Sequence, residues 1–184
     1  GWHLGEKLRY HKKTLWAESV LTPLIVRTPA IKSAVTTTTY CDNPVNLIDV
    51  FPTLIDLCEL EKKPNLDGTS FSGMLNTPAT DTDSIAVTVS DAGASVLSKH
   101  WHYIENRSKG HDELLSKELY DRENDPYEER NLIDSSEPVI KAAITLLRRH
   151  APQSFAKSVA VQRAGKVGPK QLDTTIKGTR KHLR

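Results

Sequence analysis

The sequence predicts an α/β protein whose elements run strand, helix, then three strand-like segments and a closing helix. Three observations carry that expectation. "TPLIVRTPA" (22–30) is apolar, β-branched and bounded by Pro23 and Pro29, the pattern of a buried strand. Two segments, 46–60 and 135–150, place apolar residues at helical spacing behind helix-start signals. Between them "DSIAVTVSD" (83–91) alternates as a strand does, and two further strand-like stretches follow it. No complete βαβ series is present, so the sheet that these strand pieces should join is expected to be partly absent from the chain.

Each element follows from its residues. Residues 1–20 are polar and irregular: Gly1 and Gly5 oppose a helix and no apolar stripe develops. "SAVTTTTYCDNP" (33–44) is Thr-rich and reads as an exposed strand or loop. In "NLIDVFPTLIDLCEL" (46–60), Asp49 is the expected N-cap and Pro52 sits in the first turn, where its missing N–H is harmless. Val50, Phe51, Leu54, Ile55 and Cys58 recur at helical spacing, so that face is expected to be buried. "KKPNLDGTSFSGML" (62–75) reads as a loop turning at Asp67-Gly68 into a short helix. "SVLSKHWHYIENR" (95–107) reads as one strand with Trp101, Tyr103 and Leu97 on one face, and 118–120 as a short strand before a turn at Asn124-Asp125-Pro126. The last helix has Ser136 as its expected N-cap and Pro138 in its first turn. Val139, Ile140, Ala143, Ile144 and Leu147 form its stripe, and Arg148, Arg149 and His150 suit the negative end of its dipole.

Hydrophobic residues at 38% and charged residues at 26% place the 184-residue chain among soluble globular proteins. The net charge of +2 conceals an asymmetry. From Arg148 onward ten Lys and Arg face one acid, Asp173, which leaves fifteen basic and twenty-two acidic residues in the body. Residues 151–184 therefore read as a flexible basic tail. Only Phe155 interleaves aromatic character with those charges, so the tail does not read as a nucleic-acid module. No apolar run approaches the ~20 residues of a membrane span. No signal peptide is visible, and the single Met, Met74, is internal. Cys41 and Cys58 are too few for a disulfide scaffold and read as free, mostly buried thiols. No Cys/His cluster has the spacing of a zinc site.

Functional groups concentrate in residues 1–19, with His3, Glu6, Lys7, Arg9, His11, Lys12, Lys13 and Glu18. Composition alone describes a solvated loop, and the same groups suit the wall of an anion pocket. Lys12 and Lys13 are adjacent, so in an extended segment one points in and the other out. A Lys aimed at a sulfate or phosphate oxygen stabilises the charge that develops as the ester bond breaks. His100 and His102 flank Trp101 and read as one exposed and one packed histidine. Asp121, Asp125 and Glu128 lack the Asp-x-Asp-x-Asp-Gly spacing of a calcium loop, and turn chemistry around Asp125-Pro126 explains them better.

"GWHLGEKLRYHKKTLWAES", followed by "TPLIVRTP", resembles the segment after the Ser-Asp-His-Gly motif of type I sulfatases, members of the alkaline-phosphatase-like superfamily. "VNLIDVFPTLIDLCEL" and "LDGTSF" resemble that family's helix and following loop. "WHYIENR" and "ELYDRENDPYEERNL" are similar to its C-terminal small domain, so the likeness covers residues 1–150. The opening Gly-Trp-His-Leu-Gly-Glu most resembles the iduronate-2-sulfatase-like branch. One departure is Ala17, where many relatives carry an acid; Glu18 stands next to it.

The resemblance implies the C-terminal portion of an alkaline-phosphatase-like sulfatase fold, with a small four-stranded antiparallel sheet plus a C-terminal helix. Residues 1–75 would end the large α/β domain, 76–150 would form the small subdomain, and 151–184 the tail. It implies a sulfuric ester hydrolase whose parent acts on a sulfated carbohydrate or another sulfate ester. Lys12 would be the catalytic, sulfate-contacting lysine, with Lys13, His3 and His11 as substrate-binding neighbours. Calcium would be held in the intact parent by ligands upstream of Gly1, and no metal ligand is expected in this chain. The formylglycine motif Cys-x-Pro-x-Arg or Ser-x-Pro-x-Arg is absent, and neither Cys41 nor Cys58 fits it. The missing N-terminal half would be the partner. The family's setting is periplasmic, extracellular or lysosome-like. Two alternatives stand beside this expectation: a phosphodiesterase or phosphonate hydrolase of the same superfamily, and a non-catalytic remnant that binds polyanions through its basic tail.

Overall fold

The computed structural model of the protein describes residues 1–28, 40–76, 82–108 and 113–152. Its framework is an antiparallel meander of four strands: β1 (Ala86–Ser90), β2 (Gly93–Leu97), β3 (Trp101–Arg107) and β4 (Leu114–Asp121), paired in that order. Val96 lies opposite Tyr103, which lies opposite Leu119, and these three therefore share a face. The neighbouring positions Ser95, His102 and Ile104 look the other way, together with Tyr120. Every residue of β2 is buried, because both faces of the sheet are covered.

The stretch expected as one strand over 95–107 is a hairpin. The apolar alternation continues through it, but Ser98-Lys99-His100 reverse the chain. Ser98 N donates to Trp101 O at 2.9 Å, and Trp101 N donates to Ser98 Oγ at 3.0 Å. Arg122 Nη1 holds the turn by donating to the carbonyls of Ser98 and Lys99 at 2.6 and 2.9 Å. β4 is also longer than the expected 118–120. At the start of β2, Gly93 has φ 137, and a Cβ there would stand 1.9 Å from Glu105 O. Only glycine permits β2 and β3 to pair so closely at that point.

Helix α4 (Pro138–Arg148) closes the first face. Ile140, Ala143 and Leu147 pack against Val96, Tyr103 and Leu119, with Ile144 and Trp101 at the margin. Val139, expected in the stripe, is exposed. Ser136 does not cap the helix: the N-cap is Glu137, whose side chain makes no cap bond, and Pro138 occupies the first turn.

Upstream, α2 (Val50–Leu57) is present but buries a different face from the expected one. Pro52, Thr53 and Ile55 are buried, whereas Phe51 and Leu54 are exposed. The polar contacts of Thr53 set this orientation: its Oγ1 donates to Asp49 O at 2.6 Å and accepts from Phe71 N at 3.0 Å. Asp49 is the N-cap residue as expected, but its side chain makes no cap bond to this helix; its carboxylate accepts from Asn46 N at 2.7 Å and Thr69 N at 2.8 Å instead. Asn46 in turn accepts from Val87 N of β1 at 2.7 Å, which ties this segment to the edge of the sheet. The loop through Gly68 leads into the short α3 (Ser72–Asn76). Cys41 and Cys58 are free as expected, but both are exposed rather than buried, Cys58 because it caps the end of α2.

Residues 21–28 form no strand. Ile25 is 92% exposed, and among the described residues no strand pairs with the segment. The rest of the expected strand, the Thr-rich run to 39 and the tail beyond 152 lie outside the described residues. Among those described, no helix is long and apolar enough to cross a membrane.

The packing of α4 predicts a contrast. Leu147→Ala should lower stability by about 2–4 kcal/mol, while Leu146→Ala, on the exposed side of the same turn, should cost under about 1 kcal/mol. Thermal or urea unfolding of the two variants measures it.

Candidate functional site

The polar opening segment is not a free coil. A short 3-10 turn (Glu6–Leu8) and α1 (Ala17–Val20) frame it, and it lies on the sheet face opposite α4. Leu15 and Trp16 pack there against Ile104 and Tyr120. Polar groups pin the same edge. Trp16 Nε1 donates to Glu118 Oε2 at 2.7 Å, and Tyr120 donates to that oxygen at 2.6 Å. The Lys7 ammonium sits 5.2 Å from the Trp16 ring centre and 4.8 Å from that of Tyr120, within cation–π range of both. It also donates to the backbone carbonyl of Glu128.

The strongest tie is buried. Glu128 Oε2 accepts from the backbone N–H of Ala17 at 3.0 Å, and Oε1 accepts from His102 Nδ1. A carboxylate can only accept, so Nδ1 carries the proton. On the other side of the ring, His102 Nε2 meets Ser95 Oγ at 2.5 Å. A Ser-His-Glu series invites a hydrolytic reading, but Ser95, His102 and Glu128 are all at most 1% exposed. No substrate reaches a serine sealed between sheet and loop, so the series acts as a strut.

The outer side of the loop carries different chemistry. Arg9, Tyr10, His11, Lys12 and Lys13 are all exposed there. The segment is bent rather than extended at His11 and Lys12, and Lys13 has φ 76. The alternation expected of the two lysines therefore does not apply: both reach solvent. His11 Nδ1 turns back to the carbonyl of Lys12. His3 is tied to this group through its backbone, its N–H donating to His11 O at 3.2 Å, but its side chain points the other way. It is fully buried, stands edge-on to Trp16 at 5.9 Å, and its Nε2 meets Thr14 Oγ1 at 2.7 Å. The structure thus brings His11, Lys12 and Lys13 together and places His3 on the pinned side.

The profile of the N-sulphoglucosamine sulphohydrolase C-terminal region matches residues 5–151. The chain belongs to this sulfatase family. It is 24% identical over 132 residues to an ulvan-active sulfatase of Formosa agariphila, a match covering 70% of this chain and 25% of the relative. The chain therefore spans a quarter of that relative's length. A solved protein in complex with its substrate D-glucosamine-2-N,6-O-disulfate aligns with a TM-score of 0.57 at 19% identity, over 91% of this chain and 33% of that one. That likeness shows the fold of the small antiparallel sheet with its C-terminal helix, and the family match makes it the C-terminal region of a sulfatase.

In this sulfatase chain the reading of one packed and one exposed histidine holds, with His102 buried and His100 exposed, but the pinning roles of Lys7, His102 and Glu128 were not foreseen, and Ser95 and Glu118 were not singled out. Asp121 and Asp125 do perform turn chemistry: Asp121 Oδ1 accepts from Glu123 N at 3.0 Å, and Asp125 Oδ1 from Glu129 N at 2.9 Å. Glu128 does not, because its carboxylate turns inward. The usable signal was parity: His102 alternates with Trp101 and Tyr103, so it must enter the opposite face. Ala17, where the resemblance expects an acid, meets the carboxylate of Glu128 from the far end of the chain.

Burial and then the bond to a carboxylate push two phenols of the sheet well above the ordinary tyrosine range, Tyr103 beside Glu105 and Tyr120 beside Glu118. The folded value exceeds the unfolded one, so folding retains a proton that the unfolded chain loses. The resulting stability is fully present below about pH 10 and falls as pH rises above it. In a spectrophotometric titration, part of the tyrosinate absorbance should appear only as the protein unfolds, since Tyr10, Tyr40 and Tyr127 are exposed and only Tyr103 and Tyr120 are held back; Tyr120→Phe should reduce that late part.

Proposed function

We propose that this chain is the C-terminal part of a sulfatase that hydrolyses sulfate esters of sugars, and that it supplies Lys12 as the lysine that contacts the transferring sulfate. One observation carries the reading: a sulfatase family profile runs through nearly the whole described chain, including a loop whose outer face gathers His11, Lys12 and Lys13. Three sulfated saccharides support the substrate class: the N-sulphoglucosamine in the family's description, the ulvan named for the relative, and the glucosamine disulfate bound by the solved neighbour. Residues 1–75 would complete the large domain and 76–150 form the small one. The iduronate-2-sulfatase-like branch is a narrower assignment that rests on the opening Gly1–Glu6 alone, whereas the matching family is that of N-sulphoglucosamine sulphohydrolases.

The mechanism assigned to these residues is electrostatic. Lys12, exposed on the bend, would place a compact positive charge against the sulfate oxygens, where it stabilises the charge of the transition state more than that of the ground state. Lys13 and His11 would set the potential around it, and the pinned inner side of the loop would keep it in place. Among the described residues no three His, Cys, Asp or Glu side chains are grouped so as to hold a metal ion. Calcium and formylglycine are proposed for a longer parent only.

The test is sulfate release from glucosamine N-sulfate, glucosamine 6-sulfate and iduronate 2-sulfate by the protein that the whole gene encodes. Lys12→Ala should lower kcat/KM about a hundredfold, Lys13→Ala about twofold, and the 184-residue chain alone should give no turnover. Hydrolysis of phosphodiesters with no sulfate release from any sugar would overturn the reading.

A further inference from the structure

We infer that Glu128 is the positioning residue of the sulfatase loop. Its carboxylate and its carbonyl fasten residues 7 and 17, on either side of Lys12, to the C-terminal sheet through His102. The role of Lys12 comes from the function proposed above; the clamp itself stands on geometry alone. Three bonds converge on this one residue. Oε2 accepts from Ala17 N at 3.0 Å, Oε1 accepts from His102 Nδ1, and the carbonyl accepts from the Lys7 ammonium. Ala17 and Lys7 bracket the exposed bend, so fixing them limits where Lys12 can point. His102 is in turn held by Ser95 at 2.5 Å, on the neighbouring strand. The loop is thereby referenced to two strands of the sheet and not only to the turn that carries Glu128. The backbone of Glu128 has φ 55, an unfavourable conformation for a residue with a side chain. It turns the carboxylate inward, away from the exposed Tyr127 and Glu129.

The loop's attachment can be cut without touching the sheet. Ala17 is the first residue of α1, and Trp16 before it has φ −73 and ψ 161. The backbone at both positions accepts Ala17→Pro, which deletes the N–H that Glu128 accepts and sets the ring Cδ in its place, so that Oε2 must swing aside. In the 184-residue chain, amide exchange followed by NMR should quicken about tenfold over residues 14–20 in Ala17→Pro. β2–β4 should stay unchanged, and a slowly exchanging His102 Nδ1 proton should be retained. Glu128→Ala should loosen the same loop and also abolish that proton signal.

In the protein encoded by the whole gene, Ala17→Pro should lower kcat on the sulfated sugar by a larger factor than it raises KM. A loop that exchanges in Ala17→Pro as it does in the wild type would overturn the proposal, as would a wild-type chain with no protected His102 Nδ1 proton. An unmodified gene product that releases no sulfate would sink the proposed function and leave the exchange result standing.

Discussion

A carboxylate with almost no access to water organises this molecule. Removing an ionisable group from solvent is costly unless its oxygens are met by donors. Glu128 meets that demand with an imidazole N–H from one part of the chain and a backbone N–H from another. The requirement to satisfy this group couples the two parts. Take away either donor and the deficit falls on an acceptor that cannot rehydrate, which is why one hydrogen bond here matters more than an exposed one.

The sheet that bears this load is covered unequally. On one side α4 seals it with Ile140, Ala143 and Leu147, an ordinary apolar contact that asks little of geometry beyond fit. On the other side the cover is a loop, and loops have few apolar side chains to offer. Leu15, Trp16 and the buried His3 supply what burial there is, and directional bonds from Trp16, Lys7 and Ala17 supply the rest. The division suits a segment that must stay polar on its outer surface. A helix could have been held more simply, but it would not present Arg9, His11, Lys12 and Lys13 from one bend.

Much of the fold was legible because it is local. Alternation marked β1, the apolar stripe marked α4, and Pro138 marked its beginning. The hairpin inside 95–107 was not legible, since Ser98-Lys99-His100 interrupts neither the parity nor the aromatic content. α2 was placed correctly along the chain but turned on its axis, because Thr53 gains two hydrogen bonds that a hydrophobicity pattern does not weigh. The run around Ile25 reads as a strand in composition, yet a strand needs a neighbour, and composition does not say whether one is there. At the site, the lysines and His11 could be named from sequence and a family likeness. Their support could not, because it depends on pairs such as Trp16 with Glu118, 102 positions apart.

That separation also has a kinetic side. The meander and α4 are built from neighbours along the chain, whereas the bond between Ala17 and Glu128 closes a span of 111 residues. Closing so long a span costs chain entropy before any contact returns it, so local hairpins form sooner than distant ties. The sheet would then exist as a finished surface before the loop arrives, with His102 and Glu128 already paired as a socket. Unfolding would run in reverse, and the bend bearing Lys12 would be the last part of the chain to settle and the first to leave.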